Sequence, residues 1–237
     1  MLGCAGAGIL DPSMTEVELR QIFRSLHDAY GPQAWWPAES AFEVVVGAIL
    51  TQRTTWTNAN RAIDGLRSAD LWSFPAIRSA SEDALADAIR SAGCYRQKTA
   101  TLRAFADAIV GRAGGDLAAF LALPTKALRR ELLAIRGVGP ETADAILLYA
   151  AGRPSFVVDA YTRRLFERLG TLDGREKYAA VRDRLMAALP PDLALYNEFH
   201  ALIVRHGKTH CRAAPRCEGC PLWEGCPAGL RSNGDAR

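Results

Sequence analysis

The stretch IRGVGP at residues 135–140 separates two segments whose apolar residues recur at helical spacing. Pro140 suits the first position of the second helix, because proline loses no hydrogen bond there. Gly137 and Gly139, with Val138 between them, let the chain turn sharply and leave backbone N–H groups uncovered. Those donors and the positive end of the second helix suit a phosphate oxygen. An ordinary helix–turn–helix corner is the alternative interpretation.

The rest of the chain also has a helical pattern. Two segments begin with capping-box sequences, Thr15-x-x-Glu18 and Ser40-x-x-Glu43, and Gly or Pro falls in most gaps. The apolar run at 156–158 is too short for a strand. Further helices are predicted at roughly 57–68, 81–92, 96–112, 125–135, 140–151, 159–169, 175–188 and 192–206. The predicted fold class is therefore all-α with short connections.

The composition is that of a globular protein. The 237 residues are 49% hydrophobic and carry a net charge of +3, a mild basic bias that permits an anionic partner. Four of the six cysteines fall in one loop, and neither a signal peptide nor a membrane-length apolar run is evident, which argues against a secreted disulfide protein. We expect a cytoplasmic monomer with a disordered lead at 1–14 and a tail at 231–237.

Asp159 follows the apolar run where the next helix should begin, so its ordinary role would be an N-cap. The hairpin followed at this distance by an aspartate resembles the motif of the endonuclease III superfamily of DNA repair glycosylases. That resemblance implies that Asp159 is the catalytic carboxylate. Cleaving an N-glycosidic bond builds an oxocarbenium-like sugar, which a nearby carboxylate stabilises while it orients or deprotonates a water.

Glu141 stands where lyase members of that superfamily have a lysine that attacks the sugar as a Schiff-base nucleophile. A carboxylate cannot form an imine. Its ordinary role is a favourable negative charge at a helix start. The departure favours simple hydrolysis, with abasic-site lyase activity weak or absent.

Near the C-terminus the chain reads Cys211-x5-Cys217-x2-Cys220-x5-Cys226. Four thiolates in one short loop suit zinc or a [4Fe–4S] cluster. Zinc ribbons usually have two Cys-x-x-Cys pairs, whereas only the central pair has that spacing here. The loop resembles the iron–sulfur loop of endonuclease III, although its first gap is one residue shorter, and this resemblance implies a [4Fe–4S] cluster.

The resemblance also implies contacts with double-stranded DNA. Gln52 matches the residue that fills the space left by an extruded base, and Arg53 would lie nearby; a capped helix junction is the alternative. In the segment at 93–98, which resembles one of that family, Lys98 or Arg96 would touch the DNA backbone. Arg212 and Arg216, in the first gap of the cysteine loop, would contact phosphates or would simply be solvated charges.

Trp36 and Trp56 flank the segment that contains Gln52. Tryptophans on loops usually pack into the core, and otherwise present a face for stacking. Trp-Trp-Pro at 35–37 with an aromatic at 56 is similar to the 3-methyladenine glycosylase branch, in which two aromatics sandwich the flipped purine. An alkylated purine is electron-poor, so aromatic faces favour it over normal bases.

The resemblance implies a two-lobed helical DNA glycosylase fold. A lobe at 39–153 would end with the helix–hairpin–helix, and residues 15–38 with 154–230 would hold the iron–sulfur cluster. The implied activity is hydrolytic removal of a damaged base, an alkylated purine such as 3-methyladenine. Three alternatives stay open: an endonuclease III that acts on oxidised pyrimidines with lyase activity, a non-catalytic DNA-binding module, and a structural zinc protein.

Overall fold

The computed structural model describes residues 14–234, and every regular element among them is helical. The all-α prediction is confirmed. The predicted lead at 1–14 lies outside the described residues except for Met14, which is buried. The α-helices are α1 Glu16–Tyr30, α2 Ala41–Leu50, α3 Trp56–Ser68, α4 Phe74–Ser79, α5 Glu82–Ala88, α6 Tyr95–Ala113, α7 Leu117–Leu121, α8 Thr125–Leu133, α9 Pro140–Ala145, α10 Ala160–Arg168, α11 Tyr178–Ala188, α12 Leu193–Thr209 and α13 Pro227–Gly234.

Two short elements differ from regular α-helix. A 3₁₀ turn at Arg90–Ala92 breaks the single helix predicted for 81–92, and a π-helical turn at Ile146–Ala150 continues α9. In the π turn the Ala151 N–H donates to Ile146 O, five residues back, at 2.9 Å. The tail predicted at 231–237 overlaps α13, which runs through residue 234; residues 235–237 lie outside the described residues.

The predicted helix starts depend on side-chain caps. Thr15 and Glu18 form a complete capping box at the start of α1. The second capping box is only half formed, because Ser40 Oγ accepts from the Glu43 N–H but the Glu43 carboxylate accepts from the Glu39 N–H instead of the cap residue. Both arrangements satisfy N–H groups that a helix start leaves without partners.

The described residues divide into two compact units with separate cores. The hairpin unit is Trp36–Ser155, and the cysteine unit comprises residues 14–35 and 156–234. The resemblance implied boundaries after residues 38 and 153, and in the structure the boundaries follow residues 35 and 155.

The hairpin unit is built around α2, which is buried from Val44 to Leu50 and packs on α3, α6 and the π turn. A chain of aromatic contacts extends the core, from Phe42 through Phe74 and Phe105 to Phe120. Burial of such large apolar side chains is the main source of stability, about 25 cal/mol for each Å² removed from water.

In the cysteine unit α12 packs on both α1 and α10. Phe199 of α12 meets Phe23 of α1 edge to face, and it also contacts Phe156. Gly207 lets α10 approach closely, because a Cβ there would lie 2.3 Å from Cδ1 of Tyr161. From residue 14 to residue 234, no helix has both the length and the apolar character needed to cross a membrane.

Candidate functional site

The glycine hairpin joins α8 to α9 in the hairpin unit. Gly137 has φ +85°, a left-handed conformation that L side chains rarely adopt. Gly139 is extended, with φ −87° and ψ 176°, and Pro140 opens α9 as the sequence predicts. Val138 is buried and its N–H donates to Ile135 O at 3.1 Å, so its N–H is occupied inside the turn.

The two glycines differ in their surroundings. A Cβ on Gly137 would lie 2.0 Å from Thr101 Oγ1, whereas a Cβ on Gly139 would meet no atom within 4 Å. Neither glycine N–H has an acceptor among the described residues. Gly137 therefore makes the turn possible, and Gly139 leaves backbone open to a ligand that approaches the start of α9.

A buried ion pair braces the hairpin. Asp144 on α9 is fully buried and accepts from Arg129 of α8 through Nε at 2.9 Å and Nη2 at 3.0 Å. Ser155 Oγ donates to the same carboxylate at 2.7 Å. The paired hydrogen bonds from one guanidinium to one carboxylate fix α8 and α9 relative to each other.

A cleft of about 630 Å³ lies beside the hairpin, within the same unit. Exposed Arg53 and Arg136 line it, and exposed Glu141 stands at its edge in the first turn of α9. Gln52 also lines the cleft, and its Nε2 donates to Thr142 Oγ1 at 3.0 Å and to Gly137 O at 3.4 Å. The side chain predicted to enter DNA is thus held against the hairpin in this structure.

The prediction that Lys98 touches the DNA backbone is wrong for this structure. Lys98 is only 4% exposed, and its ammonium donates to Leu50 O and Ala92 O, both at 2.8 Å. Burial lowers the pKa of Lys98 below its ordinary 10.5. The residue satisfies carbonyl groups at the ends of α2 and the 3₁₀ turn, which is a structural role.

Trp36 and Trp56 lie in direct contact in the hairpin unit. Their ring centroids are 5.4 Å apart and the rings meet edge to face at 81°. Tyr149, in the π turn, packs against Trp36 at 5.3 Å. Gly47 gives Trp36 room, since a Cβ there would lie 3.2 Å from the ring. The two tryptophans form an aromatic corner rather than a pair of parallel faces.

Asp159 caps α10 in the cysteine unit. Its Oδ1 accepts from the Thr162 N–H at 2.7 Å, and its Oδ2 lies 3.6 Å from Nε2 of His200 on α12. Burial acts to raise the pKa of Asp159, but His200 and Thr162 outweigh it and hold the pKa below its ordinary value. Asp159 is therefore both the N-cap that its position predicts and a partly buried, ionised carboxylate.

The cysteine loop follows α12. Its four cysteines form no disulfide, and Cys211 is buried. Burial, and then the nearby Cys226, Cys217 and Cys211, raise the pKa of Cys220. In residues 14–230 no group of three or more His, Cys, Asp or Glu side chains is arranged to hold a single metal ion.

Hydrogen-bond donors surround the loop. Arg168 of α10 donates to Cys211 Sγ at 3.2 Å and to Arg212 O, and Arg164 donates to Cys211 O at 2.7 Å. Burial, and secondarily His210, lowers the pKa of His206, which lies beside Cys220, to about 4. Four thiols in one loop with cationic hydrogen-bond donors beside them fit a group that binds thiolates.

The two arginines of the first loop gap are exposed. Neither the Arg212 nor the Arg216 side chain has an ion pair or hydrogen bond to another side chain that the structure describes. Both charges face solvent, and the contact with phosphates stays a prediction.

Several residues of these sites were not predicted from sequence, among them Asp144, Arg168 and His200. Asp144 has no distinguishing signal in its helix. Arg168 and His200 lie nine and 41 residues after Asp159, so only the packing of α10, α12 and the cysteine loop brings them to their partners.

Comparison with known proteins agrees with this architecture. The family model of the HhH-GPD superfamily, described as base excision DNA repair proteins, matches residues 46–191. A Methanocaldococcus jannaschii protein, provisionally named as a DNA repair glycosylase, is 49% identical over 193 residues, covering 81% of this chain and 88% of that protein.

Two solved structures show similar folds. An endonuclease III in a non-covalent DNA complex superposes with a TM-score of 0.80 at 23% identity, covering 93% of this chain and 99% of the other. The H. pylori 3-methyladenine DNA glycosylase bound to 1,N6-ethenoadenine gives a TM-score of 0.67 at 29% identity, covering 82% and 98%. The chain therefore belongs to the HhH-GPD superfamily of base excision DNA repair proteins, with the helical fold of endonuclease III.

Proposed function

We propose that this protein is a DNA glycosylase that releases a damaged base from double-stranded DNA by hydrolysis, with Asp159 as the catalytic carboxylate. Water adds to the sugar C1′, the N-glycosidic bond breaks, and the base leaves with the bonding electron pair and a proton. The observation that carries the proposal is the placement of the mostly buried Asp159 carboxylate, whose Oδ1 accepts from the Thr162 N–H and whose Oδ2 faces His200. Such a carboxylate stabilises the oxocarbenium-like transition state and accepts a proton from the attacking water.

The glycine hairpin supports DNA binding. The N–H groups of Gly137 and Gly139 and the start of α9 offer donors for a phosphate oxygen, and Arg53 and Arg136 add positive charge to the neighbouring cleft. In the cysteine unit Arg212 and Arg216 provide further phosphate contacts. Because phosphate contacts release counterions, binding should weaken steeply as salt rises.

The substrate that we propose is an alkylated purine. Trp36, Trp56 and Tyr149 form an aromatic corner, and an electron-poor base stacks favourably on such rings. Because the two tryptophans touch edge to face, a base would stack on one ring face unless the pair opens. The fold shared with the H. pylori 3-methyladenine glycosylase supports this substrate class.

Glu141 supports hydrolysis without strand cleavage. A lyase mechanism needs an amine that forms an imine with the sugar, and the carboxylate at this position cannot do so. An endonuclease III with lyase activity on oxidised pyrimidines is the competing function. Borohydride reduction of a reaction mixture would trap its covalent protein–DNA adduct, and we expect no adduct with the wild type.

The four cysteines Cys211, Cys217, Cys220 and Cys226 would hold a [4Fe–4S] cluster. The cluster would order the loop that carries Arg212 and Arg216, as metal binding commonly orders small domains. Iron and acid-labile sulfide in the purified protein, with loss of both in Cys217→Ser, would support this assignment. Zinc without iron would instead support a structural zinc site.

A lesion panel tests the activity directly. Duplexes that carry 3-methyladenine, ethenoadenine, oxidised pyrimidines or normal bases would be incubated with excess protein, and free base would be measured. Asp159→Asn should abolish release while leaving DNA affinity intact. Asp192→Asn is the matched control, because Asp192 caps α12 through the same kind of contact, with Oδ1 accepting from the Leu195 N–H at 3.1 Å.

Two outcomes would contradict the proposal. Base release by Asp159→Asn at the wild-type rate would remove Asp159 from the mechanism. Tight DNA binding by the wild type without release of any base would favour a non-catalytic DNA-binding module.

A further inference from the structure

The carboxylate of Asp159 has a defined neighbour on each oxygen. Oδ1 accepts from the Thr162 N–H at 2.7 Å, which is the capping contact of α10. Oδ2 lies 3.6 Å from Nε2 of His200, which is 6% exposed. The capping contact holds Oδ1 only. The orientation of the carboxylate plane, and so the position of Oδ2, depends on the imidazole of His200.

The imidazole is itself held rigidly. His200 lies in the buried stretch of α12, next to Phe199, which packs on α1 and on Phe156. α12 and α10 approach closely, as the contact of Gly207 with Tyr161 shows. His200 and Asp159 thus sit on two helices of one unit whose spacing is set by packing.

We propose that His200 is the positioning residue for Asp159: its Nε2–H faces Oδ2 at 3.6 Å, longer than a hydrogen bond, and attracts the carboxylate electrostatically so that it points toward the reacting sugar and water. The inference rests on the proposed glycosylase function. His200 acts through Asp159 and need not touch the DNA. Its Nε2-protonated neutral tautomer and its imidazolium form both supply this donor.

The electrostatic surroundings support this role. Of the groups on the elements around Asp159, His200 and Thr162 are the ones that lower its pKa. From α11 the Tyr178 hydroxyl lies 3.5 Å from the Val158 N–H, and Arg163 donates to Glu176 O rather than to the carboxylate. Without the histidine, burial would act against only the Thr162 contacts, so the carboxylate would hold a proton up to a higher pH.

The experiment compares His200→Gln and His200→Leu with the wild type. Glutamine retains an N–H donor, whereas leucine has similar bulk and no donor. Single-turnover base release would be followed from pH 4.5 to about 8.5, with DNA affinity and the unfolding midpoint measured for each variant. His27→Gln is the matched control, because His27 lies on α1 of the same unit and stacks on Phe23.

His200→Leu should slow release at least about tenfold at neutral pH and move the acid limb of its pH profile upward, with DNA affinity unchanged. His200→Gln should recover most of the rate, and His27→Gln should match the wild type. An acid limb that stays in place in both His200 variants, or equal losses in both at every pH, would overturn the inference.

Two further outcomes remain distinguishable. If His200→Leu does not fold, His200→Asn replaces it, because the shorter amide cannot reach Oδ2, and the same comparison with His200→Gln decides the question. Wild-type protein that releases no base would remove the proposed function and this inference together. An active wild type and an inactive Asp159→Asn, with both His200 variants at the wild-type rate, would remove only the inference.

Discussion

The side-chain amide of Gln52 lies 3.0 Å from the Thr142 hydroxyl and donates a hydrogen bond to it. The same amide also reaches Gly137 O at 3.4 Å. Gln52 therefore links the end of α2 to the glycine hairpin inside one unit. To enter a duplex, as its sequence position suggests, the side chain must exchange both contacts for DNA.

Replacing Gln52 should impair base release from duplex DNA in particular. Gln52→Ala removes the group that would fill the vacated space, and extrusion of a stacked base costs a few kcal/mol. We expect release about ten- to a hundredfold slower on duplex and little changed on a single strand carrying the same lesion. Gln21→Ala, at an exposed position of α1, is the control. Equal losses on both substrates would assign Gln52 to the hairpin alone.

The two hairpin glycines should respond differently to alanine. Gly137→Ala should lower the free energy of unfolding by about 1–3 kcal/mol, because a left-handed residue would also collide with Thr101. Gly139→Ala should leave stability unchanged or slightly higher, yet weaken DNA binding by crowding the approaching phosphate. Denaturant unfolding and equilibrium DNA binding measure the two effects. Undiminished DNA affinity in Gly139→Ala would place the phosphate elsewhere.

Lys98 should contribute to stability in a pH-dependent way. Lys98→Met leaves two buried carbonyls unsatisfied and should cost about 2–4 kcal/mol. Because the folded pKa is lowered, the unfolded chain binds more protons between that pKa and 10.5, so the stability of the wild type relative to Lys98→Met should rise with pH in that window. Unfolding of both proteins at several alkaline pH values measures the slope. A falling difference would contradict the burial of the ammonium.

A lysine at position 141 should create lyase chemistry. Glu141 is exposed in the first turn of α9 and lines the cleft beside the hairpin. In Glu141→Lys the amine would attack the sugar C1′, expel the base and form an imine, which borohydride reduces to a stable amine. We expect a trapped adduct with this variant and none with the wild type or with Glu82→Lys, in the first turn of α5. Adduct formation by the wild type would show that another amine reaches the sugar.

Changes to the Arg129–Asp144 ion pair should lower the free energy of unfolding mainly when only one of the two partners is removed. Arg129→Met leaves Asp144 buried without its cation and should cost about 3–5 kcal/mol, whereas Arg129→Met with Asp144→Leu should recover much of that loss. A double-mutant cycle measures the coupling. Arg20→Ala, which removes the exposed pair with Glu16, should cost less than about 1 kcal/mol. Additive losses at residues 129 and 144 would mean that the pair is not coupled.

Local sequence signals predicted the long elements well. α6, α8 and α10 begin and end within two residues of their expected bounds, because each has periodic apolar residues between clear stop signals. The short helices α4 and α7 were missed, although Ser73 and Asp116 cap them, since six and five residues give too few turns for a periodicity. The break between α5 and the 3₁₀ turn also escaped prediction.

The candidate sites depended more on tertiary contacts. A cysteine spacing or a glycine turn can be recognised in the sequence. Whether a charged side chain is buried or exposed cannot. Lys98 was assigned to DNA because its segment resembles one of the family, and the contact with Leu50, 48 residues away, buries it. No role was predicted for His200, since a histidine inside an apolar helix shows nothing of the carboxylate opposite it.

The π turn at Ile146–Ala150 fixes the angular position of Tyr149. One additional residue per turn rotates every later side chain by about 100° relative to an uninterrupted α-helix. Shortening this segment by a single residue would therefore swing the tyrosine away from Trp36 while retaining the composition of the helix. Relatives that differ here by one insertion or deletion would present a differently shaped aromatic wall, which, under the proposed function, would alter base preference without any change in the chemical groups.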